Sequence, residues 1–203
     1  MNEKNNIRLA DEHLVERILS GDTNAFTTII RDTERLVAQI VFKMIAGNED
    51  RKDIAQDTYL KAFHKLSSFK FQSKLSTWIA QIAYNSCVNF LEKKQFVLID
   101  TNKQYDDDAM DTMETLTDSI DLFTSDPEKM IFQKQLSEIL ATEINLLSPI
   151  YKTLVTLYHS EALSYYEIGQ ITNLPEGTVK SYLFRARKQL RENLLRTYKK
   201  EAL

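Results

Sequence analysis

"SYYEIGQITNLPEGTVKSYLFRARKQL", Ser164–Leu190, decides how this chain is read. Ser164 with Glu167 three residues later is a capping-box signature that opens a short helix. Asn173 tolerates the left-handed turn conformation, and Pro175 suits the first turn of a second helix. A short helix, a tight turn and a longer helix make a helix-turn-helix pattern. At 100° per residue, Val179, Leu183, Ala186, Leu190 and Leu194 fall within about 80° of one another and are predicted to be the buried stripe. Ser181, Arg185, Lys188 and Arg191 lie opposite, with Lys180, Phe184 and Arg187 on the flanks.

This second helix is basic in an acidic protein. Pro175–Lys200 holds eight Lys/Arg against Glu176 and Glu192, a net +6, whereas all 203 residues together carry −3. A solvated surface helix usually mixes acid among its bases. Phosphates reward unmixed charge, because each neutralised contact releases counterions. The small Gly177, Thr178 and Ser181 let the backbone approach a major groove. Thr178, Lys180, Ser181, Arg185, Arg187, Lys188 and Arg191 are therefore the candidate readers of duplex DNA.

The compensating acid is concentrated upstream. Asp100–Glu128 contains ten Asp/Glu and only Lys103, a net −9. Such a stretch repels itself and sustains no helical period, so residues 97–127 are predicted to be a flexible linker. It would join two small helical domains, 1–96 and 128–203, in an all-α protein; four Gly and three Pro in the whole chain agree with helices and few tight turns.

Periodicity places helices along both blocks. Leu14, Ile18 and Leu19 are predicted to share one side, and Asp22 reads as an N-cap. Ala55, Tyr59, Ala62, Phe63 and Leu66 form an expected apolar face, with Asp53, Gln56, Asp57 and Lys61 on another. Leu75, Trp78, Ile79, Ile82, Ser86, Cys87, Phe90 and Leu91 mark a longer helix after the loop "SSFKFQSK". In the second block Ser148 reads as an N-cap with Pro149 at the first helical position.

Several function classes are disfavoured. His13, His64 and His159 are far apart, no Gly-rich phosphate loop occurs, and Cys87 sits on an apolar stripe, so no catalysis, metal or cofactor is expected. The run Asp106–Asp108 could chelate a metal but lies in the expected linker. The N-terminus lacks an apolar signal core, and the uncharged run Leu75–Leu91 is punctuated by Ser, Thr, Gln and Asn. With a single cysteine, these features fit a protein of a reducing cytoplasm.

Two separate segments carry a resemblance. "GTVKSYLFRARKQL" resembles the region-four recognition helix of extracytoplasmic-function (ECF) sigma factors of bacterial RNA polymerase, in the sigma-70 family. "DIAQDTYLKAFHKL" and "FKFQSKLSTWIAQIAYNSCVNFLEKK" resemble their region two, and "LVERILSGDTNAFTTII" is similar to the family's opening. The matches cover roughly residues 11–95 and 131–197. Gln72, Gln81, Tyr84, Asn89 and Tyr182 depart from residues frequent in the family.

The resemblance implies an alternative sigma factor that binds core RNA polymerase, recognises promoter DNA and starts transcription. It implies that Asp53, Gln56, Asp57 and Lys61 face the polymerase. It implies too that Lys70, Phe71, Gln72, Ser73, Lys74, Gln81, Tyr84 and Asn85 hold the melted strand, by stacking, hydrogen bonding and neutralising phosphate. Trp78 is expected in the core, whereas Phe69 and Phe71 could serve either the core or the strand. The resemblance also allows an inhibitory anti-sigma partner. The rival is a stand-alone helix-turn-helix regulator that binds duplex DNA without polymerase.

Overall fold

A computed structural model of the chain describes the backbone of residues 2–96 and 127–201, and side chains within 8–94 and 136–196. The expected linker lies outside the described residues, apart from Pro127, which opens a helix. Every regular element among the described residues is helical: α1 (Asn2–Leu19), α2 (Phe26–Met44), α3 (Asn48–Lys65), α4 (Leu75–Phe96), α5 (Pro127–Leu146), α6 (Pro149–His159), α7 (Tyr165–Thr172) and α8 (Glu176–Glu201).

α2 buries Phe26, Ile29, Thr33, Val37, Ile40, Val41 and Met44, a three- and four-residue spacing that makes one continuous stripe. α4 packs against α2 and α3 through Leu75, Ile79, Ala83 and Cys87. Ala62, Ala80 and Ala83 are fully buried, and their small side chains let these helix axes approach closely. Polar groups inside the bundle are satisfied. Thr33 donates to the Ile29 carbonyl at 2.6 Å and lies 3.1 Å from the Tyr59 hydroxyl, and Thr58 donates to the Ile54 carbonyl at 2.7 Å.

Two sequence expectations need correction. On α1 the buried residues are Val15 and Ile18, while Leu19, at the helix end, is exposed. On α3 the buried stripe is Ile54, Thr58 and Ala62, continued by Leu66 just past the helix; Ala55 and Tyr59 flank it and Phe63 is exposed. The threonine hydroxyls return their hydrogen bonds to the preceding turn, so Thr58 occupies a core position that polarity alone argues against. Asp22 does hold the N-cap position, of the single 3-10 turn Thr23–Ala25 that leads into α2, while Arg17 takes its carboxylate at 2.6 Å and lowers its pKa.

The second half follows its punctuation. The Ser148 hydroxyl accepts from the Tyr151 amide at the start of α6, and Pro149 occupies the first turn. Ser164 and Glu167 form the reciprocal capping box of α7, and Asn173 ends that helix at φ 58°. Leu154, Leu157, Ile168, Ile171, Val179, Leu183 and Ala186 fill the core beneath α8. The two halves also meet: α2 packs on α6, and α4 packs on α7.

Candidate nucleic-acid interface

Burial of Val179, Leu183 and Ala186 fixes the rotation of α8 and turns its cations outward. Lys180, Lys188 and Arg191 are exposed, while Thr178, Ser181 and Arg185 are half-buried. The Ser181 hydroxyl donates to the Thr178 carbonyl at 2.9 Å, which seats it against its own helix with lone pairs still outward. Lys180 rides over the Tyr165 ring at 5.5 Å. Arg187 is drawn toward α6, its guanidinium 5.2 Å from the Tyr158 ring and 3.4 Å from His159 Nε2. Burial, then the Arg187 charge, hold His159 below its ordinary pKa. Phe184, 44% exposed between these cations, is a large apolar group of that surface, and Leu195 further along is another.

The second candidate set lies on the loop before α4 and on α4 itself. Phe69 is buried and Trp78 packs on it at 5.1 Å, so both serve the core. Phe71 leans on Phe69 at 4.7 Å but has φ 55°, a left-handed conformation uncommon for an aromatic residue, and it stays half-exposed. Lys70, Gln72 and Lys74 are exposed beside it, with Ser73 half-exposed. The start of α4 is held from far away: the Asp11 carboxylate on α1 accepts from the Leu75 amide at 3.0 Å. Burial raises the Asp11 pKa, opposed by that hydrogen bond and by Lys74.

Further along α4, Gln81 and Asn85 are half-buried and point at α7. Gln81 Nε2 donates to Asn173 Oδ1 at 2.6 Å, and Asn173 Nδ2 donates to Asn85 Oδ1 at 3.3 Å. Lys74 pairs with Glu167 at 2.7 Å. Burial of Glu167 works against its ionisation, but Lys74 and the Ser164 hydrogen bonds prevail and its pKa is lowered. Tyr84 is only 6% exposed; burial, with Tyr182 and Cys87 nearby, raises its phenol pKa. In this arrangement Tyr84 cannot stack on a base, against expectation, because packing encloses it. A cleft of about 400 Å³, lined by Phe71, Gln72, Lys74, Tyr166, Glu167 and Gln170 among others, separates the loop from α7.

The third set is on α3. Asp53, Gln56 and Asp57 are exposed on one face. Lys61 is half-buried, bridging Asp57 at 2.6 Å and donating to Ser86 at 3.1 Å, so it braces α3 on α4. Leu60, 55% exposed beside Asp57, belongs to this face and was missed from sequence, where an exposed leucine gives no signal.

An all-helical chain with a capped helix-turn-helix and a cation-bearing recognition helix is of the DNA-binding regulator class. Residues 29–97 match the model of sigma-70 region 2, and residues 137–190 that of sigma-70 region 4. The ECF RNA polymerase sigma-E factor of Haemophilus influenzae is 30% identical over 193 residues, 92% of this chain and 96% of that protein. The ECF RNA polymerase sigma factor SigW of Bacillus subtilis is 30% identical over 182 residues, 89% and 94% of the two chains. The fold is similar to that of the sigma factor RpoE of Bartonella quintana, solved with the anti-sigma factor NepR, at a TM-score of 0.58, 22% identity, and 83% and 96% coverage. The chain belongs to the ECF family of RNA polymerase sigma factors.

Proposed function

We propose that this ECF sigma factor docks on core RNA polymerase through α3, grips the upstream promoter element with α8, and holds the melted strand with α4 and its preceding loop. It acts as a regulatory subunit in the cytoplasm and carries no catalytic chemistry of its own. The observation that carries this reading is the outward rotation of Lys180, Lys188 and Arg191 on α8, imposed by the buried Val179, Leu183 and Ala186. Asp53, Gln56, Asp57 and Leu60 supply a separate face, acidic with an apolar centre, suited to a basic and apolar partner. The segment between residues 96 and 127, net acidic in sequence, would let the two helical units reach separate DNA elements. The similar fold of Bartonella quintana RpoE, solved with the anti-sigma factor NepR, makes an anti-sigma partner part of the same reading.

A run-off transcription assay with core enzyme tests it. Promoter-dependent transcripts should appear only when the protein is added, and Asp57→Lys should weaken core binding while leaving the helical spectrum intact. A protein that never binds core enzyme, and that prefers duplex to bubble promoter DNA, would instead be a stand-alone regulator.

A further inference from the structure

Among the described residues, Lys74, Gln81 and Asn85, all strand-capture candidates, tie α4 and its loop to the helix-turn-helix. Lys74 is taken by Glu167, Gln81 by the Asn173 carbonyl oxygen, and Asn85 by the Asn173 amide nitrogen. Asn173 is set up for this by its turn. At φ 58° it caps α7 in the left-handed conformation, which exposes the residue and directs its amide at α4. A primary amide offers a donor and an acceptor side by side, as the edge of an adenine or cytosine does. Tyr84 is enclosed in the same junction. The exposed cations of α8 take no part in it: Lys180, Lys188 and Arg191 remain exposed.

We infer that Asn173 is a self-blocking plug: it fills the Gln81–Asn85 site in place of a nucleobase and closes the strand-capture face of α4 while leaving the duplex-reading face of α8 open. The inference rests on the strand-capture role proposed above for Gln81 and Asn85. Closed and strand-bound forms compete for the same amides, so the free protein binds duplex through α8 and single strand only after α7 leaves α4. The apparent affinity for single strands is reduced by the fraction of molecules that is open.

Asn173→Gly isolates the plug, because glycine accepts the left-handed conformation and loses both hydrogen bonds. Asn173→Asp keeps the acceptor for Gln81 and loses the donor to Asn85. The probes are a fluorescein-labelled pool of random 12-nucleotide single strands and a labelled 30-base-pair duplex, titrated against the full chain. Spin labels at Asn89→Cys and Glu176→Cys, both exposed positions, report the distance between the halves.

Asn173→Gly should tighten single-strand binding by about five- to 150-fold, with Asn173→Asp intermediate, since losing two hydrogen bonds of ordinary net strength moves an equilibrium by about that much. Duplex affinity should stay unchanged, and the spin-label distance should lengthen. An Asn173→Gly protein that binds single strands no better than wild type, although Gln81→Ala and Asn85→Ala weaken that binding, overturns the plug. If Gln81→Ala and Asn85→Ala have no effect even in the Asn173→Gly background, the strand-capture role itself fails and the plug falls with it. A wild-type spin-label distance that is already long and broad also overturns it.

Discussion

Cys87 is fully enclosed in the α2–α4 core, and burial pushes its thiol up to about 12. The thiolate is the reactive form, so Cys87 should resist iodoacetamide at pH 8 in the native protein and react within minutes in guanidinium. The thiol ordinarily ionises near 9.0, so its contribution to stability is full below that and is lost as pH rises toward about 12. Its apolar setting was legible from its place among Trp78, Ile79, Ile82 and Phe90. The enclosure of Tyr84, three residues earlier, was not, because what covers it includes residues from the far half of the chain. On α8, Lys188 is exposed and should behave as a phosphate contact. Lys188→Ala is expected to weaken binding to all duplex sequences alike and lower the salt slope by about one, measured by fluorescence anisotropy across a salt series.

The helix-turn-helix is the element most completely written in local signals: a capping box, an asparagine C-cap, a proline in the next first turn and a three-to-four residue apolar stripe. Each signal acts within a few residues of itself, which is why sequence alone locates it. Gly169 adds a requirement the pattern does not announce. A Cβ there would sit 2.8 Å from the Leu174 carbonyl oxygen, and the Leu174 amide donates back to the Gly169 carbonyl at 3.2 Å. The turn cannot widen without losing that bond. Gly169→Ala should therefore destabilise the protein by about 1–3 kcal/mol, despite alanine's better helix propensity, as read by urea denaturation. On α3 the same periodic reasoning had Ala62 and Leu66 right but took Ala55, Tyr59 and Phe63 in place of Ile54 and Thr58, whose hydroxyl is satisfied within its own helix so that it packs like valine.

At the scale of the molecule, contacts between residues nearly a hundred positions apart decide what the surface can do. Lys74–Glu167, 93 residues apart, and Arg35–Glu161, 126 apart, tie the halves together at 2.7 and 3.3 Å. Glu167 has two duties: one carboxylate oxygen caps α7 and the other holds Lys74. Its pKa is lowered, so the stabilisation it gives is present above the ordinary glutamate value of 4.5 and is lost as pH falls through its lowered value. An acid titration of the spin-labelled protein should lengthen the distance between the halves in that range, before the helical signal at 222 nm is lost. Glu167→Gln, which keeps a capping oxygen, should remove the pH dependence.

The sequence by itself determined the all-helical class, the family, the position of the helix-turn-helix and the outward face of α8. The family came from the resemblance of two separate segments; the other three depend on short-range rules: helical periodicity, capping chemistry and local charge. Only the tertiary structure decided that Phe69 serves the core, that Lys61 braces α3 on α4, and that Gln81, Asn85 and Lys74 are engaged by α7. The physical reason is the same in each case. A polar side chain's role depends on which distant partner satisfies it, and that partner is chosen by how apolar stripes pack across the whole chain.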